Sequence, residues 1–578
     1  MALSNIDLIE FFKQRMVELY DNNTLDSYCV RTCNTMSMFY ELREMLGGWI
    51  ACNVKRGDTV ARCIDECIML LDFDEWMDFS FYDRRKLITN LEDYKKKVCK
   101  IKDSRDKKES DNSEARYVLH LVSSAIAVND NIYLAALISS IHDELLIEKK
   151  FSDKDFSNII SKFDMKISLF ATELLRRGYS KSYLFFFFKS IKKNKDNIPF
   201  QKAFEQMQSK FKAVHLYQDT VIIRMNFNNK EIPIMENMFE EVPTEYMNVL
   251  QGFIKGIFKK ETGRRFYIVK LDAVDTRSAL QKARLRLSQA LDRNNISTVH
   301  ISNTGVVLYS KDDTILYRPE KCYEMCSLSN SKTILSDFMY KLDGFDSVTR
   351  DIKDRLNTAL RHLRVGDEQT EVEQRFLNYW IGLEFIFSTP KSGDSTFSRL
   401  MEKLPKIMTL YYLKRNISDL DLRLREKKLL NDNESFGSFT QEQMDKMFEK
   451  ATDILLKYRI KIMKSNLHSH EKIEKYLKRH EKNLQWHLSR IYHYRNELVH
   501  EAAIKQNVES ITINLRSYLV FMLNLLLDYC NIQLQSPQNV PVATDNFFWY
   551  YELLWLKCTP EYDKDRFLEL FIPEELVR

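Results

Sequence analysis

The sequence predicts a mainly α-helical protein in three parts. These are a helical N-terminal region (1–208), a small α+β module (209–345) and a C-terminal all-α helical bundle (346–578). Three observations predict it. Glycine (13) and proline (10) are scarce in 578 residues, which favours long helices over elaborate turns. Apolar residues recur three and four apart through both ends of the chain, the spacing of one helix face. Runs rich in β-branched and aromatic residues are confined to the middle. The apolar (44%) and charged (29%) fractions are those of a folded chain, and the length implies several domains of roughly 100–200 residues each.

The N-terminal region opens on Met1-Ala2-Leu3-Ser4-Asn5-Ile6-Asp7, which reads as a helix start and not as a secretory signal. Lys100–Arg116 is a charged run expected to be an exposed loop. Thr172–Ile191 is an amphipathic helix broken at Gly178, and Lys192–Pro199 is a lysine- and asparagine-rich connector. Strands are expected at Val221–Met225, Phe266–Leu271, Val299–Ile301, Val306–Tyr309 and Ile315–Tyr317, with Asp312-Asp313 turning the last pair. A helix from about Thr276 sets Ala279, Leu280, Ala283, Leu287, Ala290 and Leu291 on one face. The module has no Walker A loop and no G-x-G-x-x-G. Helices are then expected at 346–363, 369–388, 397–415, 441–464, 471–504 and 506–530, with polar loops around Pro390 and over Asn431–Thr440. The aromatic tail Phe547–Trp555 is expected to dock on its own domain, a subunit interface being the alternative. No apolar stretch reaches the ~20 uninterrupted residues of a membrane span, since Leu519–Leu527 is broken by Asn524. The expected location is the cytoplasm, with no membrane partner.

The net charge of +5 is small for this length and decides nothing about nucleic acid, because binding depends on local patches. Candidate patches are Arg423/Arg425/Lys427/Lys428, Lys457/Arg459/Lys461/Lys464 and Lys472/Lys475/Lys478/Arg479. Acidic residues (Glu426 and Glu474) interrupt two of them, and a solvated face is the expected reading of each. The ten cysteines lack the density of a disulfide scaffold. Cys29/Cys33 and Cys63/Cys67, each spaced i,i+4, could form a four-thiolate zinc site, but buried small apolar residues are the favoured reading. Cys322/Cys326 is read the same way. His468/His470 gives too little for a metal-dependent nuclease, and no cofactor is expected.

The most informative residues are Arg495-Asn496-Glu497-Leu498-Val499-His500, inside the helical run RIYHYRNELVHEA. Leu484, Leu488, Ile491, position 495, Leu498 and Ala502 form one stripe, and position 495 is arginine. A guanidinium on an apolar stripe needs acceptors, a phosphate or a carboxylate, and its fork suits either. His493, Asn496 and His500 lie on a second face, with Asn496 one turn before His500 and able to orient its imidazole. At ~100° per residue Arg495 and His500 stand about 140° apart around the axis, so two copies of this helix about a two-fold could bring both groups into one groove.

The R-N-x-x-x-H pattern resembles the signature of HEPN endoribonucleases, all-helical enzymes that cut RNA without a metal. Trp380-Ile381-Gly382-Leu383-Glu384-Phe385-Ile386-Phe387 resembles the W-x-x-L-E-x-x-F helix of the ApeA-like group. Leu174 to Ser180 matches its upstream L-x-x-x-G-Y-S segment. The resemblance spans roughly residues 160–530. It implies that the 346–578 bundle is a HEPN-type nuclease domain and that the protein acts in bacterial abortive infection, where phage entry triggers cleavage of host RNA. It implies Arg495 and His500 as the catalytic pair, Asn496 orienting His500, and Glu384 facing the motif helix, or else holding a structural salt bridge, perhaps to Arg495. It also implies a homodimer or higher oligomer, RNA (tRNA or another structured host RNA) as substrate and a phage-derived trigger. Glu501-Ala502-Ala503 follow His500 where some HEPN toxins carry a tyrosine modified by a partner enzyme, so a toxin–antitoxin pairing of that kind is not expected. The alternative is a catalytically silent HEPN-fold binding or sensor subunit, with RNA affinity and no turnover.

Overall fold

The computed structural model describes residues 4–21, 33–146, 156–193, 199–212, 216–227, 240–241, 264–293, 299–308, 314–317, 348–369, 371–388, 395–501, 508–535 and 542–570. The protein is mainly α-helical with an α+β portion in the middle of the chain. It groups into two compact units, Met1–Leu169 with Glu324–Arg578, and Phe170–Tyr323.

In the first unit the N-terminal segment supplies α1 (Asn5–Tyr20), α2 (Thr35–Ile50), α3 (Gly57–Phe73), α4 (Arg84–Val98), α5 (Glu109–Asn129), α6 (Tyr133–Leu146) and most of α7 (Phe156–Arg176). Ser4 starts α1 in a capping box with Asp7. The charged run 100–116 is not a loop throughout: a 3₁₀ turn covers Ser104–Asp106 and α5 begins at Glu109. Asp111 bonds back to the Lys108 amide there, and acidic residues fill the first turn, where the helix dipole favours them. Gly57 sits where α3 starts against the end of α4; a Cβ there would lie 2.0 Å from the Val98 carbonyl oxygen, so only glycine allows this approach.

The C-terminal segment supplies α11 (Arg350–Glu368), α12 (Val372–Phe387), α13 (Thr396–Glu426), α14 (Gln441–Lys450), α15 (Ile454–Asn466), α16 (His470–Glu501), α17 (Val508–Gln535), α18 (Thr544–Cys558) and the short α19 (Lys564–Leu568). The helix expected to end at 415 runs on to Glu426 with Pro405 inside it, since Ile417, Leu420 and Leu424 continue its buried face. The helix expected over 441–464 is two, because Asp453 caps a new start by accepting from the Leu456 amide. The apolar window Ile511–Gln533 of α17 is long and apolar enough to cross a membrane by composition, which the interruption at Asn524 had argued against. Yet 78% of it is buried, with Leu519, Leu523 and Leu526 fully so. It is the central core helix of the bundle, packing α11 and α12. The aromatic tail docks through Phe547, Phe548 and Tyr551, Phe548 lying 5.1 Å from the Phe387 ring, while Trp549 stays 62% exposed.

The two sequence segments of this unit share buried charge. Glu18 of α1 takes Arg15, Arg423 (3.1 Å) and Arg459 (2.5 Å), and Arg15 also binds Asp164 (2.6 Å). Two of the basic patches are therefore partly consumed by internal pairing, and Lys478 of the third bonds Glu474.

The second unit holds the end of α7, α8 (Lys181–Lys193), α9 (Phe200–Phe211), α10 (Thr276–Arg293) and a five-stranded antiparallel sheet. The sheet comprises β1 (Tyr217–Phe227), β2 (Glu240–Glu241), β3 (Arg264–Ala273), β4 (Val299–Leu308) and β5 (Thr314–Tyr317), in the order β2-β3-β1-β4-β5. The two strands expected at 299–301 and 306–309 are one strand. Ile223 pairs Gly305 and Met225 pairs Ile301, so an irregularity absorbs the polar residues between them. The expected turn at Asp312-Asp313 and the connector at 194–198 lie outside the described residues. The break at Gly178 is as expected: its φ of +91° lies in the left-handed region that glycine tolerates. Ser180 then caps α8 and is held by Asp275, which accepts from its amide (2.7 Å) and its hydroxyl (3.0 Å).

Candidate active site

The motif lies in the last turns of α16, which contains no glycine or proline and buries Ile473, Leu477, Leu484, Leu488 and Ile491 along one face. Arg495 continues that stripe, half-buried. Its Nη1 donates to Asn496 Oδ1 at 3.1 Å, and its buried Nε–H has no hydrogen-bond partner among the described residues. A buried donor left unmet is costly. His500 is on the helix, but its side chain lies outside the described residues, as do Ala502 and Ala503. Whether Asn496 reaches His500 is thus outside them too; what is described is Asn496 serving Arg495.

Glu384 comes from α12, whose ring-bearing face packs the motif helix. Phe376 meets Tyr494 edge-on at 4.9 Å and Trp380 lies 6.0 Å from Tyr492. Phe397 at the start of α13 stacks on Tyr492 at 3.7 Å. Trp380 Nε1 donates to Glu384 Oε2 at 2.8 Å, and no Glu384–Arg495 ion pair forms within 4.0 Å among the described residues. Glu384 is therefore oriented by its own helix, one turn from Trp380. Beside the stack is a cleft of about 250 Å³ lined by Arg56, Arg62, Phe397, Ser398, Met401 and Glu402. Both arginines reach Asp58 (2.9 and 3.1 Å). His493 is mostly buried and lies 3.3 Å from Glu497, one turn on.

One turn back, α16 carries a buried polar cluster that sequence reasoning missed. Arg490 reaches Glu41 of α2 and Glu66 of α3, each at 2.7 Å. His487 is fully enclosed, with Nδ1 2.9 Å from the Tyr518 hydroxyl and Nε2 3.4 Å from the Asn514 amide nitrogen. With Asn514 donating to Nε2, the proton sits on Nδ1 and goes to Tyr518. Burial, with the Arg490 charge adding to it, pushes the His487 pKa down to about 3. A histidine stabilised in its neutral form contributes stability that is whole above its unfolded pKa near ~6.5 and is lost as pH falls toward 3. Acidification from pH 6.5 to 4.5 should therefore cost about 2–3 kcal/mol at this site. Urea melts at the two pH values should show that loss in the wild type and a much smaller one in His487→Gln. Equal slopes in both proteins would remove His487 as the cause.

Asp367 ties α11, α12 and α17 together, accepting from Tyr379 (2.7 Å) and from the Arg516 fork (2.8 and 2.9 Å). Burial alone would raise its carboxyl, but these donors outweigh it and hold the group below its ordinary range. Of the four cysteines weighed as zinc ligands, Cys29 lies outside the described residues, and Cys63 and Cys67 are buried. Burial pushes the Cys33 thiol up to about 12 and the Cys67 thiol higher. Among the described residues no three histidine, cysteine or acidic side chains group as a metal site. Cys322 and Cys326 are outside the described residues.

Compared with protein-family models, curated proteins and solved structures, the chain has no match.

Proposed function

We propose that this protein is a metal-independent endoribonuclease that cleaves RNA through attack of the 2′-hydroxyl on the adjacent phosphate. The observation that carries the reading is the Arg495-Asn496-x-x-x-His500 array on one helix, with an arginine on the apolar stripe whose Nε–H has no acceptor among the described residues and whose fork is steadied by Asn496. The chemistry asks for little more. A base takes the 2′-hydroxyl proton as the O2′–P bond forms; an acid protonates the 5′-oxygen as the P–O5′ bond breaks. A histidine titrating near ~6.5 suits either role around neutrality. Arg495 meets the charge that develops on the phosphorane. Asn496 positions this pair, and Glu384, fixed by Trp380, is a further candidate at the same helix face. The products are a 2′,3′-cyclic phosphate, or its hydrolysis product, and a 5′-hydroxyl.

The wide angle between Arg495 and His500 supports a shared groove, so the active unit is at least a homodimer joined through the motif helices. The resemblance to ApeA-like proteins supports an abortive-infection role in the bacterial cytoplasm, with a phage-derived trigger and a structured host RNA such as tRNA as target. Incubation of the purified protein with total RNA in excess EDTA tests the reading. Cleavage should persist and leave 5′-hydroxyl ends that a kinase can label without prior phosphatase. Strict dependence on added magnesium would contradict it, and bound but uncut RNA would make the chain a silent binding subunit instead.

A further inference from the structure

Charge is unevenly divided between the two units. Residues 170–323 hold 26 lysines and arginines against 16 aspartates and glutamates, a net charge of +10, while the whole chain carries only +5. The rest of the chain is thus net acidic. Within the second unit the excess concentrates on two neighbouring helices. Across Lys181–Lys193, α8 has four lysines and no acidic residue; across Thr276–Arg293, α10 has five basic residues and one aspartate. The two helices meet where the Arg277 guanidinium lies over the Phe186 ring at 4.5 Å.

Four cations of this surface, Lys192, Lys193, Lys282 and Arg286, are exposed and have no carboxylate partner among the described residues. Lys282 and Arg286 donate only to backbone carbonyls of β3, those of Asp272 and Lys270. Ala279, Leu280, Ala283 and Leu287 bury one face of α10 against the sheet, and Lys282 and Arg286, one turn apart, flank that face and stay exposed. Aromatic rings are interleaved with the charge: Phe186 is 48% exposed beside Arg277, and Lys189 lies over Phe185 at 4.7 Å. Cations without carboxylate partners beside a partly exposed ring make a surface that attracts phosphates and offers a base something to stack on.

We propose that α8 and α10 form the docking surface for a single-stranded segment of RNA, with Lys192, Lys193, Lys282 and Arg286 contacting phosphates and Phe186 stacking a base. The choice of RNA as the ligand rests on the ribonuclease reading; the surface itself does not. The test uses the full chain and an RNA of about 20 nucleotides, longer than the ~4–16 nucleotides one basic groove tracks, 2′-O-methylated throughout so that it binds but offers no nucleophile. Fluorescence anisotropy should show binding that weakens with salt, by a slope of about −0.7 per phosphate neutralised. Reversing all four charges (Lys192→Glu, Lys193→Glu, Lys282→Glu, Arg286→Glu) should weaken binding at least about tenfold and flatten the slope by about two to three units. Because Lys282 and Arg286 also hold carbonyls, the milder pair Lys192→Gln, Lys193→Gln, at the exposed end of α8, should give a smaller loss in the same direction with an unchanged melting curve. Lys100→Glu with Lys102→Glu, exposed in the first unit, should leave affinity unchanged. Unaltered binding in the fourfold variant, or an equal loss in the Lys100/Lys102 control, would overturn the proposal. So would retention on anionic phospholipid vesicles without oligonucleotide binding, which would make this a lipid surface. Since the probe cannot be cut, binding lost in the fourfold variant by a protein that never cleaves RNA would sink the nuclease reading and leave the docking surface standing.

Discussion

Arg495→Ala and His500→Ala should each abolish RNA cleavage while leaving a folded protein. His500 moves the proton and Arg495 meets the phosphorane, so each loss removes stabilisation of the transition state. An oriented acid–base group or charge donor is worth ~10²–10⁴-fold in rate. Arg495→Lys should also fail substantially, because lysine keeps the charge but not the fork. The competing role for Arg495 was a salt bridge to Glu384 inside the bundle. That pairing predicts lower melting temperatures for Arg495→Ala and Glu384→Ala and a silent His500→Ala. The described geometry disfavours it, since Glu384 is bonded to Trp380 and Arg495 to Asn496. Melting temperature and cleavage measured on the same variants separate the two cases. A stable His500→Ala protein with full nuclease activity would end the catalytic reading.

Arg490→Ala should be the most destabilising single change on the motif helix. It removes the cation that pairs with two carboxylates, Glu41 and Glu66, and Glu66 is buried enough that its carboxyl is pushed upward despite the pairing. Breaking a buried pair from one side costs about 3–5 kcal/mol, because the partner charge is left uncompensated. Adding Glu41→Gln and Glu66→Gln should recover part of that loss, since the stranded charges disappear. The contact joins α2 and α3 to α16 one turn from Arg495, so the variant should also lose nuclease activity through displacement of the motif helix. Chemical denaturation gives the answer: a loss below about 1 kcal/mol would mean the cluster is solvated and does not anchor the helix.

Local patterns made the helices legible. The 3–4 spacing along α16 placed Arg495 on the buried stripe, and Gly178 ended α7 where a left-handed residue was needed. The β-branched runs located β1 and β3 because those residues are buried, Val221, Ile222 and Ile223 consecutively. What failed depended on context. The break at Asp453 is a cap chosen against a continuing apolar pattern, and the persistence of α13 through Pro405 is decided by packing of residues beyond it. Asn524 looked like an interruption but is buried in the core helix. At the site, the residue types of the motif were visible, whereas the link from Trp380 to Glu384 needed the rotamers. The pairing of Arg490 with carboxylates more than 400 residues away leaves no trace in local spacing, nor does the enclosure of His487 by Tyr518 and Asn514.

The central claim is that the RNA supplies its own nucleophile to this motif, and one substitution in the substrate tests it. After a cut site has been mapped on a defined RNA, a single 2′-deoxy nucleotide on the 5′ side of that phosphate should abolish cleavage there and leave neighbouring cuts intact. Undiminished cleavage at the deoxy position would mean that water or another group attacks the phosphate, and that Arg495 and His500 do not act as proposed.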